Sequence, residues 1–209
     1  MTTIEYIRPE EIEAKSFALI EAELPHLLDP EQAPIIKRVI HSTADFEFAD
    51  SLCFSDHVVQ LALKAIGEGA CVVTDTNMAK AGINKALLAA HGGEAFCFMA
   101  DDDVRELAKA NGTTRAQACM DKAVSLDRPL IFAIGNAPTA LLRLHTLMEQ
   151  GKVSPRLIIG VPVGFVNVVP SKELIMGDAA PYIVARGRKG GSTVAAAIVN
   201  ALLYLLGRE

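Results

Sequence analysis

Short apolar runs recur along the chain at residues 70–74, 95–99, 129–134, 157–161 and 182–185. Each is largely apolar on both faces rather than alternating, and each is separated from the next by a helical segment or a loop. That pattern belongs to strands in a sheet covered on both sides, hence mostly parallel. The first helical segment covers 9–24. A second spans 29–41, with Asp29 as N-cap and Pro30 at the first helical position. Ser55 caps a third, 55–66. Thr114 and Gln117 have capping-box spacing and open a helix to about residue 125. Asn136 and Pro138 open another to residue 150, ended by Gly151, and a last apolar helix covers 192–206. The alternation predicts an α/β, three-layer fold: a mostly parallel central sheet of about five strands with helices on both faces. Neither an internal repeat nor a linker is visible, so residues 1–209 are expected to form a single domain.

Composition narrows the class. A chain of 209 residues that is 51% hydrophobic can bury a real core. Its formal net charge of -5 argues against nonspecific nucleic-acid binding, which needs a basic face. Cys53, Cys71, Cys97 and Cys119 are far apart, lie among apolar neighbours and lack metal-ligand spacing. Buried free thiols are expected, which suits a reducing cytoplasm. The polar, acidic N-terminus does not have the form of a signal peptide. The helix at 192–206 is shorter than the roughly 20 residues a membrane span needs and carries Asn200. A cytoplasmic protein without membrane attachment is the expectation.

In open α/β sheets, ligands bind beyond the carboxyl ends of the strands. Polar residues gather at those points: 74–77, Gly135 and Asn136, 162–165 and 186–192. In the last segment, GRKGGST (187–193) combines glycines, three nearby cations (Arg186, Arg188, Lys189) and a helix start at Ser192. Such a turn can cradle an anion on free N–H groups; a solvated basic loop capped by Ser192 is the plainer alternative. It is not a Walker loop, which places lysine directly before the hydroxyl residue. His41 lies in RVIHSTADFEF (38–48), followed by Ser42, Thr43 and Asp45. Those neighbours could orient the imidazole as a general acid, or could simply cap the helix. Arg115 stands in a first helical turn, where a cation opposes the helix dipole. A bound carboxylate or a surface salt bridge would account for it equally. GNAPTAL (135–141) is at least a good strand-to-helix turn. GVPVGFVNVVPSKE (160–173) is either a wall for a flat apolar ligand or a buried loop. No nucleophile elbow, metal-ligand spacing or dinucleotide fingerprint is present.

Taken together, these segments resemble the precorrin-8X methylmutase family of cobalamin (vitamin B12) biosynthesis. The likeness runs from about residue 12 to 205. It is carried by KSFALIEAEL (15–24), RVIHSTADFEF, the segment 75–83 with its AGI, TTRAQACMDKA (113–123), IGNAPTALLRL, GVPVGFV with SKE, and GRKGGSTVAAAIVNALL. The resemblance implies an isomerase that moves a methyl group from C-11 to C-12 of a corrin-type ring, precorrin-8X or its cobalt form. It places the catalytic histidine on His41. It places substrate binding on Ser16, Arg115 and the turn Arg186, Gly187, Arg188, Lys189, Gly190, Gly191 and Ser192, with Thr43, Thr76 and Asn136 as further contacts. It also implies a homodimer, a tetrapyrrole polycarboxylate as small-molecule substrate, and no cofactor or protein-bound metal. The chain departs from the family pattern before SKE, where Asn167-Val168-Val169-Pro170 replaces small residues and a glutamate. A noncatalytic tetrapyrrole-acid carrier and a phosphate- or nucleotide-binding α/β protein are the competing expectations.

Overall fold

The computed structural model describes residues 6–207. Residues 1–5, part of the segment read for a leader, and 208–209 lie outside that range. Six strands form one sheet in the order β1-β6-β5-β4-β2-β3. They are β1 (Leu52–Phe54), β2 (Cys71–Thr74), β3 (Ala95–Phe96), β4 (Leu130–Ile134), β5 (Leu157–Gly160) and β6 (Tyr182–Ala185). β2 to β6 run parallel, and these are the five runs read from the sequence. The sixth, β1, is a correction: it pairs antiparallel on the edge, Leu52 opposite Ala185. Three residues among polar neighbours leave no periodicity to read. β3 is also shorter than the apolar run that announced it.

Side-chain alternation along the strands splits the core into two layers. Val72, Ile131, Ala133, Ile159 and Ile183 face one layer. It is completed by α1 (Pro9–Glu23), α2 (Ala33–Thr43), α4 (Val58–Gly67), α5 (Asn77–Gly82) and α11 (Ser192–Leu206). Val73, Phe132, Ile134, Ile158 and Val184 face the other. There α7 (Asp102–Asn111), α8 (Arg115–Ala123), α9 (Pro138–Glu149) and α10 (Val168–Met176) cover the sheet. Two short helices, α3 (Phe48–Ser51) and α6 (Lys85–Ala90), complete the set. The apolar run of α11 is explained by this packing: from Val194 to Leu203 nearly every side chain is buried, against α2, α4 and α5.

Three predicted helix starts shift. α2 begins at Ala33 with Pro34 in its first turn. Asp29 caps the turn before it, its Oδ1 accepting from the N–H groups of Glu31 and Gln32. α4 starts after His57, which adopts φ +55°. Ser55 is not its cap; the Ser55 hydroxyl accepts from the Tyr182 N–H at 3.0 Å and ties the loop to β6. α9 starts at Pro138, so Asn136 lies outside the helix. The capping box of α8 forms as expected, the Thr114 hydroxyl accepting from the Gln117 N–H. α10 is a helix where a wall or loop was read. Pro170 sits in its first turn, where a missing N–H costs nothing.

Candidate active site

β2 and β4 are neighbours, but the chain leaves them for opposite faces: α5 packs beside α11, α9 in the other layer. The loops beyond their carboxyl ends therefore part, and a crevice opens there. Asp75, first in the loop after β2, spans that crevice. Its carboxylate accepts from the N–H groups of Gly135 (2.9 Å), Asn136 (2.8 Å) and Ala137 (2.6 Å) in the loop after β4. Asp75 is only 1% exposed. Burial pushes its carboxyl above the ordinary range, and the three N–H bonds pull the other way. Sequence reading placed Asp75 among the polar loop residues without giving it this role; a carboxylate at a strand end is too common a signal.

The N-terminus of α11 closes the crevice. The hydroxyls of Thr76 and Ser192 lie 2.8 Å apart. Gly135 packs so closely that a Cβ there would come within 2.7 Å of the Ser192 Cα. The turn before α11 leans on the loop after β5 in the same way. The Gly191 N–H donates to the Val161 carbonyl at 2.8 Å, and a Cβ on Gly190 would overlap that oxygen. Gly190 also holds φ +152°. Gly135 and Gly190 are thus required by close backbone approach.

His41 sits in the last turn of α2, exposed, its ring edge-to-face with Phe17 at 5.5 Å between centroids. It lines a groove with Arg38, Ser42, Met78, Thr193 and Asn200. Thr193 follows Ser192, so His41 and the start of α11 share one surface. The residues after His41 cap the helix rather than orient the ring. The Ser42 and Thr43 hydroxyls both donate to the Val39 carbonyl. The Asp45 carboxylate accepts from Lys189 Nζ at 2.6 Å. The lysine holds that carboxyl below its ordinary range, and the pair joins the end of α2 to the GRKGG turn.

The remaining expected site residues divide. Arg115, at the head of α8, is exposed and has no carboxylate partner among the described residues. Thr114 ties that helix start to α9 through Thr139 at 3.0 Å, so Arg115 faces the same end of the sheet. Arg188 lies over the exposed Phe165 ring at 5.3 Å. Arg186 turns away and pairs with Glu173 of α10 at 3.0 Å. Lys189 also pairs with Glu47 at 2.9 Å. Ser16, one residue before Phe17, donates to the Ile12 carbonyl within α1. Beside Arg188, Val163, Phe165 and Val166 form an apolar strip open to solvent. The loop after β5 is thus apolar and largely open to solvent, and its buried part is Val161 and Pro162.

The chain matches the family model for precorrin-8X methylmutase over residues 11–205. It is 48% identical to the cobalt-precorrin-8 methylmutase of Priestia megaterium, over 95% of this chain and 89% of that one. The cobalt-precorrin-8 methylmutase of Salmonella typhimurium is 44% identical over 95% of this chain and 96% of its own. The precorrin-8X methylmutase of Pseudomonas aeruginosa is 36% identical over 95% and 97%. Among solved structures, the precorrin-8X methylmutase of Thermus thermophilus superposes with a TM-score of 0.85 at 39% identity, covering 95% of this chain and 98% of that one. The alternation of strands and helices and the motifs at the carboxyl end of the sheet have the same source: the chain belongs to the precorrin-8X methylmutase family, the isomerases of cobalamin biosynthesis.

Proposed function

We propose that this chain moves a methyl group from C-11 to C-12 of a corrin-type ring, with His41 as general acid and the cobalt form, cobalt-precorrin-8, as substrate. The observation that carries the reading is the shared groove: a solvent-open imidazole beside the N-terminal turn of α11, in a member of this family. The relatives at 48% and 44% identity are named for the cobalt-containing substrate and the one at 36% for precorrin-8X, which favours the cobalt form.

The ligand is a broad apolar ring edged with carboxylates. The strip Val163, Phe165 and Val166 suits its face. Its carboxylates meet Arg115, Arg188 and the N–H groups of Gly187, Arg188, Lys189, Gly190 and Ser192 near the turn, with Asn136 and Thr76 on the opposite lip; the Gly191 N–H, bonded to Val161, anchors the turn instead. The hydroxyls of Ser16 and Thr43 already donate within their own helices and accept more readily than they donate. Arg186, held by Glu173, adds charge behind the turn rather than a direct contact.

The methyl breaks its bond to C-11 as it bonds to C-12, so atoms balance within one molecule. His41 lends a proton to the conjugated ring as the shift proceeds and recovers it afterwards. Positioning and one proton are what the protein must supply. No nucleophile is called for, and the one thiol with a marked shift, Cys119, is pushed up to about 12 by burial and is inert. The chain works as one domain and as a homodimer in the cytoplasm, where its cysteines, free among the described residues, stay reduced. Exposed Ile12 and Leu19 on α1 offer apolar surface for pairing, and among the described residues no helix is long and apolar enough to cross a membrane. Sedimentation giving a monomer at micromolar concentration would remove the dimer. A tetrapyrrole carrier differs from the isomerase in one test. If His41→Ala abolishes turnover while product still binds, the histidine serves the reaction; if the wild type binds product without ever turning over, the chain is a carrier.

A further inference from the structure

Beneath the GRKGG turn lies a lysine with no solvent exposure. Lys172, on α10, is 0% exposed, and its Nζ donates to the carbonyls of Gly187 at 2.9 Å and Lys189 at 2.8 Å. The carbonyl between them, on Arg188, accepts from the Gly164 N–H at 3.1 Å. Three successive carbonyls are therefore fastened to the protein side of the turn. In a trans peptide the C=O and the following N–H point in opposite directions. The N–H groups of Arg188 and Gly190 are thereby aimed away from Lys172 and that of Lys189 away from Gly164, and none has an acceptor among the described residues. Successive N–H groups so directed form an anion-binding concavity.

The charge on Lys172 has no carboxylate partner among the described residues. Its neighbour Glu173 is taken by Arg186. Asp45 and Glu47 are taken by Lys189. Burial without an ion pair pushes the ammonium down to about 8.

We propose that Lys172 is a positioning residue for substrate binding: it holds the Gly187 and Lys189 carbonyls inward, so that the turn presents consecutive N–H groups and a buried positive charge to a substrate carboxylate. This rests on the turn being the carboxylate cradle described above. The residue touches no substrate atom and leaves the proton transfer at His41 alone, so its signature is a split between KM and kcat.

The test compares wild type with Lys172→Met, which is unbranched, one heavy atom shorter and loses charge and donors, and Lys172→Gln, which keeps a donor. Turnover of cobalt-precorrin-8, product affinity by absorbance titration, and melting temperature are read for each. Lys172→Met should raise KM and weaken product binding by roughly tenfold to a hundredfold, the loss of a charge-assisted contact. Its kcat should stay within a few-fold, with Lys172→Gln in between. Equal KM in all three proteins would overturn the proposal. So would a fall in kcat at unchanged KM, or failure of both variants to fold, since the lysine would then carry the fold rather than the turn. A wild type without turnover would instead remove the isomerase reading itself.

Discussion

Among the described residues no hydrogen bond holds the His41 ring, which makes an edge contact with Phe17. On the reading proposed above, the hydrogen bond of the acid forms only once substrate is bound. His41→Ala should lower kcat by roughly 10²- to 10⁴-fold, the usual worth of a positioned acid, with product affinity changed no more than a few-fold. Single-turnover absorbance and product titration read the two quantities separately, and an equal loss in both would point to binding rather than chemistry. Asp75 is the opposite kind of residue, buried and fully engaged. Its three N–H bonds fix the loop after β4 against the loop after β2. Asp75→Asn leaves one carbonyl oxygen for three donors and turns an amide N–H₂ towards them. A loss of about 2–4 kcal/mol in unfolding free energy is expected from urea titration. A change below about 0.5 kcal/mol would mean that the clamp contributes little.

At the level of elements, the start of α11 is where backbone, not side chain, sets the site. Gly135→Ala would press a methyl against Ser192. Gly190→Ala would press one against the Val161 carbonyl at a φ that L-residues rarely adopt. Gly190→Ala should therefore raise KM by at least roughly tenfold while His41 chemistry continues, as expected when a turn that binds but does not react is displaced. Steady-state kinetics decide it, and an unchanged KM would separate the turn from substrate binding. The parallel strands were legible because burial on both faces leaves unbroken apolar runs, and α8 because its cap and its N3 partner lie three residues apart. β1 was not legible: an edge strand of three residues is set by its partner Tyr182–Ala185 rather than by its own pattern. The start of α4 was misread at Ser55 because that hydroxyl serves β6, a tertiary use no local signal announces. α10 hid behind Pro170, which marks a helix start as readily as a loop. GRKGGST stood out in the sequence because glycine and cations are rare together. The lysine beneath it did not, since a charged residue in SKE gives no sign of being buried.

For the molecule as a whole, the sheet order brings four loops to one end, and two buried charges, Asp75 and Lys172, lie behind them. Lys172 leaves a mark on global stability. Its amine falls from an ordinary 10.5 to about 8 on folding. Between those values the unfolded chain holds a proton that the folded chain has released, so this group makes stability rise with pH across that window. The unfolding free energy of the wild type should gain on that of Lys172→Met from about pH 8 to 10.5. A difference that stays flat across the window would mean that the ammonium is not desolvated in the folded state. The central claim, that these groups together rearrange a corrin ring, is tested most directly by substrate itself. The purified protein is incubated with cobalt-precorrin-8 and, separately, with precorrin-8X, and absorbance spectra and product mass are followed through many turnovers. A changed chromophore at unchanged mass, faster with the cobalt form, is the predicted result. A folded protein that leaves both spectra unchanged, or shifts them only in stoichiometric amounts, would contradict it.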